Sequence, residues 1–69
     1  MKEFQLDGSE FIPLCDLMKA SDLTDNGAAA KHIIAEGKVK VDGVVETRKR
    51  CKIRTGQTVE YQDQKVKVL

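Results

Sequence analysis

Hydrophobic side chains recur at every second position near both ends of the chain and at every third or fourth position in between. At the N-terminal end, Phe4 and Leu6 alternate with polar residues, which predicts a short half-buried strand over residues 2–6. The turn-forming residues 7–9 end this strand. The chain is therefore expected to begin with a strand rather than a helix.

A first helix is predicted from Pro13 to about Ser21. Its apolar residues Leu14, Leu17 and Met18 are three and four positions apart, so they form one stripe along the helix. Proline suits the first helical position, because the amide hydrogen that it lacks would have no partner within the helix there. One face of this helix is therefore expected to enter the core.

A second helix is predicted over residues 27–36, with Gly37 as its left-handed stop. Asp25 or Asn26 can cap its start, because a short side-chain oxygen accepts a hydrogen bond from a free amide of the first turn. Asn26-Gly27 is also a typical hairpin turn, but neither flank alternates like a strand, which favours the helix. Its inward positions are Ala30, Ile33 and Ile34.

After this helix the period returns to two. Two valines are predicted to face one side of a strand, with Lys38 and Lys40 on the other. Asp42-Gly43 predicts a tight two-residue hairpin turn, since such a turn needs positive φ at both of its central positions. Residues 44–47 form the returning strand of this hairpin.

Beyond the hairpin, residues 46–49 carry little apolar character and are predicted to be irregular or an edge. Further strands are predicted over residues 57–61 and 65–69, separated by polar turn residues. The elements together predict an α+β fold in one small domain, residues 1–69. It consists of a two-helix plus β-hairpin motif with additional short antiparallel strands.

Composition limits the classes of protein that the chain can represent. A chain of 69 residues buries only roughly 60% of its unfolded surface, so its core is thin. Cys15 and Cys51 are its only cysteines, and no cluster has the spacing of metal ligands, so neither a metal nor a cofactor is expected. A single bridge between them stays open, although two isolated cysteines are usually reduced inside cells.

No apolar run approaches the ~20 residues that span a bilayer. The first residues are polar and acidic where a signal peptide has an apolar core. We therefore expect a soluble, cytoplasmic protein without a membrane partner.

Charge is distributed unevenly along the chain. The formal net charge is +1, but residues 31–54 hold eight basic and three acidic residues, a local charge of +5. The remaining residues carry a net charge of −4. Such a concentration of positive charge creates a local potential that attracts a polyanion.

The basic residues lie where the predicted elements can present them to a phosphate backbone. Lys38 and Lys40 share one side of a strand, as do Lys52 and Arg54, and the helix start at Gly27 offers free amides to an anion. The alternative is that a run of lysines and arginines is simply solvated surface. The predicted contact residues are Asn26, Gly27, Lys31, His32, Lys38, Lys40, Arg48, Lys49, Arg50, Lys52 and Arg54.

The three aromatic residues, Phe4, Phe11 and Tyr61, are all predicted to lie in the core. Base stacking on exposed rings, the usual way to hold a single strand, is then not expected. Recognition of a folded RNA by its shape and its backbone fits this pattern better.

Catalysis has little support in the sequence. The single histidine, His32, has no residue near it in sequence that would orient it as a general base. No phosphate-cradling glycine loop and no nucleophile elbow occurs. We therefore predict that the protein is not an enzyme, and His32 is either a surface residue or an RNA contact.

The segment from Asn26 to Tyr61 resembles the S-four-type RNA-binding domain, a family named after a protein of the small ribosomal subunit. The shared motifs are Ala30-Lys31, Ile33-Ile34, the hairpin GKVKVDG over residues 37–43 and GQTV over residues 56–59. The whole chain is similar to the small free-standing bacterial members of that family.

This resemblance implies an alpha-L motif, two helices and a hairpin, over about residues 13–61. It further implies a basic face for structured RNA, with ribosomal or transfer RNA as the partner, and a monomeric module without a catalytic domain. Two positions depart from the pattern. Asn26-Gly27 stands where many members have serine and arginine, and Gln57 stands where aspartate is usual. The alternative function is a protein-interaction module whose basic face binds an acidic partner.

Overall fold

A five-stranded sheet covered on one face by two helices forms the body of the molecule, and the computed structural model describes residues 1–69. The helices are α1 (Leu14–Ala20) and α2 (Gly27–Ala35). The strands are β1 (Lys2–Phe4), β2 (Ile12–Pro13), β3 (Val39–Val41), β4 (Val44–Val45), β5 (Lys52–Ile53), β6 (Thr58–Tyr61) and β7 (Gln64–Val68).

The strand order in the main sheet is β1-β7-β6-β3-β4. All of its neighbouring pairs are antiparallel except β1 and β7, which run parallel. The remaining strands, β2 and β5, pair with each other as a separate antiparallel ribbon. The predicted α+β fold is therefore confirmed.

Helix α2 and the hairpin form as their local sequences predict. Asn26, rather than Asp25, caps the helix: its Oδ1 accepts a hydrogen bond of 2.8 Å from the amide of Ala29. Asp42 and Gly43 have φ of 52° and 83°, so both central positions of the turn lie in the left-handed region. Gly37 also has a positive φ, as a helix stop requires.

Strand β2 and its pairing with β5 were not predicted, although the strand that contains Lys52 was. Ile12 pairs with Ile53 and Pro13 with Lys52, so each strand has only two residues. Strand β2 is too short to show an alternation of its own, and its partner is far away in the sequence. Its formation also changes the start of α1, because Pro13 is extended (φ −59°, ψ 141°) and precedes the helix instead of beginning it.

Several strands are shorter than predicted. The first strand ends at Phe4 instead of residue 6, and the return strand of the hairpin ends at Val45 instead of residue 47. Beyond Val45 the chain turns away to make the polar contacts of Glu46. Strand ends are the least reliable part of a prediction from pattern alone.

Thirteen buried hydrophobic residues form one core between the helices and the sheet. Ile34 and Val39 are fully buried, as predicted, whereas Ile33 and Val41 are only partly buried at the edge of the core. The fully buried large side chains are Leu14, Leu17, Met18, Ile34, Ile53, Val39, Val59, Val66 and Val68. Because they come from both helices and from both sheets, one core holds the helices and the two sheets together.

Both cysteines are free thiols. Cys15 is buried, and Cys51 is half-buried. The two helices have 7 and 9 residues, so neither could span a lipid bilayer.

We expect Ile34→Val to lower the free energy of unfolding by about 1 kcal/mol, because one methyl group leaves a fully packed site. Val44 is 69% exposed and is the matched control. Val44→Thr keeps the branched shape and should change stability by less than about 0.5 kcal/mol. Urea unfolding followed by circular dichroism measures both, and equal effects would contradict the described core.

Candidate nucleic-acid interface

The basic segment (residues 48–54) is held against the start of α1 by backbone hydrogen bonds. The amide of Leu14 donates to the carbonyl of Cys51 at 2.9 Å, and the amide of Cys15 donates to the carbonyl of Lys49 at 3.0 Å. The first amides of a helix have no partner within the helix, so these bonds satisfy donors that would otherwise be free. The loop that carries the basic side chains is therefore attached directly to a core helix.

The second half of the basic segment is strand β5 and the residue after it. Ile53 is fully buried, while Lys52 and Arg54 on either side of it are exposed. This is the predicted alternation, and it directs both cations away from the core. Pairing of β5 with β2 fixes their positions.

Arg48 is held by Glu46 in a two-pronged ion pair. Its Nε and one terminal nitrogen donate to the carboxylate at 2.9 and 3.1 Å, and its backbone amide donates to the same carboxylate at 3.0 Å. These bonds lower the pKa of Glu46 to about 2. The amide of Glu46 donates to the carbonyl of Val39 at 2.9 Å, which places the pair at the base of the hairpin.

An open groove of about 400 Å³ lies within the basic segment. It is lined by Arg48, Arg50, Cys51 and Lys52, and we call it the basic groove. Burial and a hydrogen bond to Glu46 raise the pKa of the Cys51 thiol, so this lining residue adds no negative charge at neutral pH. Three cations and a neutral thiol suit a phosphate group.

Four of the five cations in the basic segment have no acidic partner. The molecule contains two ion pairs, Arg48 with Glu46 and Lys38 with Glu36. The second pair spans 3.5 Å between side chains that are both more than half exposed, so it neutralises Lys38 weakly. The cations without an acidic partner in this segment are Lys49, Arg50, Lys52 and Arg54.

Lys40 lies apart from the basic segment. It is on the outer face of the five-stranded sheet, where its neighbour across the strands is Glu60, followed by Lys65 on β7. Its charge is therefore partly offset by an adjacent carboxylate. The structure does not connect Lys40 to the basic segment by any hydrogen bond.

The predicted contact residues at the start and on the surface of α2 lie on a different element from the basic segment. Lys31 and His32 lie on the solvent side of the helix, and neither makes an ion pair. The side chain of Asn26 is occupied by its cap on Ala29. A Cβ atom added to Gly27 would meet nothing within 4 Å, so the start of the helix is open to solvent.

The expectation that Phe11 belongs to the core is wrong. Phe4 and Tyr61 pack against the core, whereas Phe11 does not. Its ring lies beneath two cations of the basic segment: the Nζ of Lys52 is 5.0 Å and the Cζ of Arg54 is 5.7 Å from the ring centroid. Phe11 could have been placed correctly only if β2 had been predicted. Ile12 in that strand points into the core, so its neighbour Phe11 points outward.

Residues 4–69 match the family model of the S4 domain. The chain belongs to the S4 domain family. YbcJ of Escherichia coli and YbcJ of Shigella flexneri are each 52% identical to it over 69 residues, which cover 100% of this chain and 99% of theirs. The solution structure of Escherichia coli YbcJ superimposes with a TM-score of 0.78, covering 100% of this chain and 87% of that one. That structure is described as revealing an alpha-L motif involved in RNA binding.

One departure from the S4 domain pattern is compensated in the structure. Gln57 stands where aspartate is usual, and its Oε1 accepts a hydrogen bond of 2.7 Å from the amide of Arg54. A side-chain oxygen thus still closes the turn after β5. The orientation of Arg54 therefore does not depend on a carboxylate at this position.

Glu46 should make folding stability depend on pH in the acid range. Its pKa in the folded protein is about 2, below the ordinary 4.5, so its stabilising contribution is complete above pH 4.5 and is lost as the pH falls toward 2. Glu46→Gln should flatten the pH dependence of the free energy of unfolding in this window. Urea titrations at several pH values measure it.

Arg48→Met is the matched variant for this test, because it removes the cation and leaves the carboxylate. It should flatten the pH dependence of the free energy of unfolding in the same window. The double variant should have nearly the same pH dependence as either single variant. A pH dependence that survives in both single variants would contradict a stabilising Glu46–Arg48 pair.

Proposed function

We propose that this protein binds structured RNA and catalyses no reaction. The observation that carries the proposal is the attachment of the basic segment to α1 by two backbone hydrogen bonds. Cations on a fixed support lose little conformational freedom when they bind, so more of their attraction appears as affinity. The similarity to YbcJ, whose alpha-L motif is described as involved in RNA binding, supports the same conclusion.

The contacts are proposed to differ in strength. Lys49 and Arg50 contribute most, because they are exposed, have no acidic partner and, unlike Lys52 and Arg54, do not lie over an aromatic ring. Arg48 contributes less, because phosphate must compete with Glu46 for its guanidinium group. Lys38 and Lys40 add weaker contacts beside Glu36 and Glu60, and the proposed set is completed by Asn26, Gly27, Lys31, His32, Lys52 and Arg54.

The partner is proposed to be a folded ribosomal or transfer RNA, met in the cytoplasm by a monomer of this protein. The S-four-type pattern in the sequence supports this choice of RNA. The protein is proposed to act on this RNA through binding alone, by stabilising a structure or by occupying a site.

Affinity should fall steeply with salt. If about five phosphates are contacted, the logarithm of affinity should fall against the logarithm of salt concentration with a slope of about −3 to −4. Lys49→Ala/Arg50→Ala should weaken binding and reduce this slope by about 1 to 1.5, with an unchanged circular dichroism spectrum. Fluorescence anisotropy with a labelled folded RNA measures both quantities.

Lys19→Ala/Lys65→Ala is the control, since it removes the same charge from α1 and β7 outside the proposed surface. It should leave the slope close to that of the unchanged protein. Equal losses in the two double variants would mean that net charge, and not the basic segment, determines affinity.

Gly27→Arg should raise affinity for RNA. Many S-four-type members carry an arginine at this position, and here a new side chain would enter open space without a positive φ. One added phosphate contact should steepen the salt slope by about 0.7. Gly27→Gln is the uncharged control, and an equal gain in that variant would show that helix stability is responsible.

Binding of an acidic protein through the same cations is the outcome that would overturn the proposal. Partners that copurify with the tagged protein should be released by ribonuclease treatment. Partners that stay bound after nuclease and dissociate from the Lys49→Ala/Arg50→Ala variant would identify a protein-interaction module instead.

A further inference from the structure

Phe11 is an aromatic residue that the fold places outside the core. Its neighbour Ile12 pairs with Ile53, which is fully buried, and this register turns Phe11 to the outer side of the β2–β5 ribbon. Phe11 is not among the residues that pack against the core, although it is partly buried. The side chains of Lys52 and Arg54 lie over its ring.

The cover over the ring is movable. Lysine and arginine side chains have long flexible stems, and both lie on the exposed side of β5 and the turn after it. A flat aromatic group can therefore replace them on the ring face. An arginine displaced from one ring can stack on the free face of the incoming group.

The ring adjoins the basic groove. Lys52 both lines this groove and lies over Phe11, so the aromatic face and the phosphate-binding cations are neighbours. A flat apolar face next to the three cations of the basic groove matches one chemical unit, a nucleotide. The base would stack on the Phe11 ring, and the phosphate would lie in the basic groove.

We propose that Phe11, Lys52, Arg54 and the basic groove form a site for one unpaired nucleotide of the bound RNA. The proposal rests on the proposed RNA binding and names the part of the RNA that is recognised. A base inside an A-form helix is stacked between its neighbours and cannot reach a ring on the protein surface, whereas a bulged or looped-out base can. The site thus selects folded RNA with an unpaired nucleotide beside its helix.

Two hairpin RNAs of equal length and charge test this selection, one fully paired and one with a single bulged nucleotide. The unchanged protein should bind the bulged RNA more tightly. Phe11→Leu keeps an apolar side chain but removes the aromatic face, and it should weaken binding to the bulged RNA about five- to hundredfold while leaving the paired RNA unaffected. Phe4→Leu, which alters the ring that packs against the core, should not change this preference.

An abasic residue at the bulge tests the same site without changing the protein. It keeps the phosphate and removes the base, so it should cost as much affinity as Phe11→Leu. The chain contains no tryptophan, so Phe11→Trp adds a single reporter. Its fluorescence should be quenched by the bulged RNA and not by the abasic or the fully paired RNA.

The outcomes separate this inference from the proposed function. If the unchanged protein binds neither RNA, RNA binding itself fails. If it binds both equally, or if Phe11→Leu weakens both equally or neither, RNA binding stands and the nucleotide site is overturned. An abasic bulge that binds as tightly as the complete one also overturns the site, whatever the stability of the variants.

Discussion

The position of the basic segment depends on two backbone hydrogen bonds at the start of α1. The first amides of a helix have no partner within the helix. Pro13, just before α1, has no amide hydrogen, and the amides of Leu14 and Cys15 donate to carbonyls of the basic segment. The side chains of the same two residues are buried in the core. Packing of the core therefore fixes the helix, and the helix fixes the loop. The geometry of the proposed RNA contacts is therefore determined by buried hydrophobic residues that make no contact with RNA themselves.

This attachment has an electrostatic cost, which the loop limits in two ways. The positive end of α1 lies beside a cationic segment, an unfavourable arrangement for the charges alone. The loop turns its carbonyls toward the helix and its side chains outward, so the nearest groups attract. Glu46 then compensates one of the cations, Arg48, through three hydrogen bonds. One carboxylate within the proposed phosphate-binding surface is thus explained by folding, since it orders the loop in the free protein.

Local signals predicted the parts of the fold that local interactions determine. The cap at Asn26, the left-handed turn at Asp42-Gly43 and the buried stripe with Ile34 follow from residues close together in the chain. The pairing of β2 with β5 depends on residues that meet only after folding, and the two residues of β2 show no period. The error at Phe11 follows from that omission, because an aromatic residue without a predicted strand is most naturally assigned to the core. The basic residues themselves were predictable, but their division into paired and unpaired cations was not.

Charge separation within the chain favours one direction of approach. A net charge of +1 gives little attraction at a distance. Screening at physiological salt limits the range of each charge's electric field to about 8 Å. The acidic remainder of the chain, with a net charge of −4, repels a polyanion from the other surfaces. The basic segment attracts it locally. In the proposed complex, the RNA is therefore oriented before contact, and the position of Phe11 beside Lys52 then determines which part of the RNA lies over the ring.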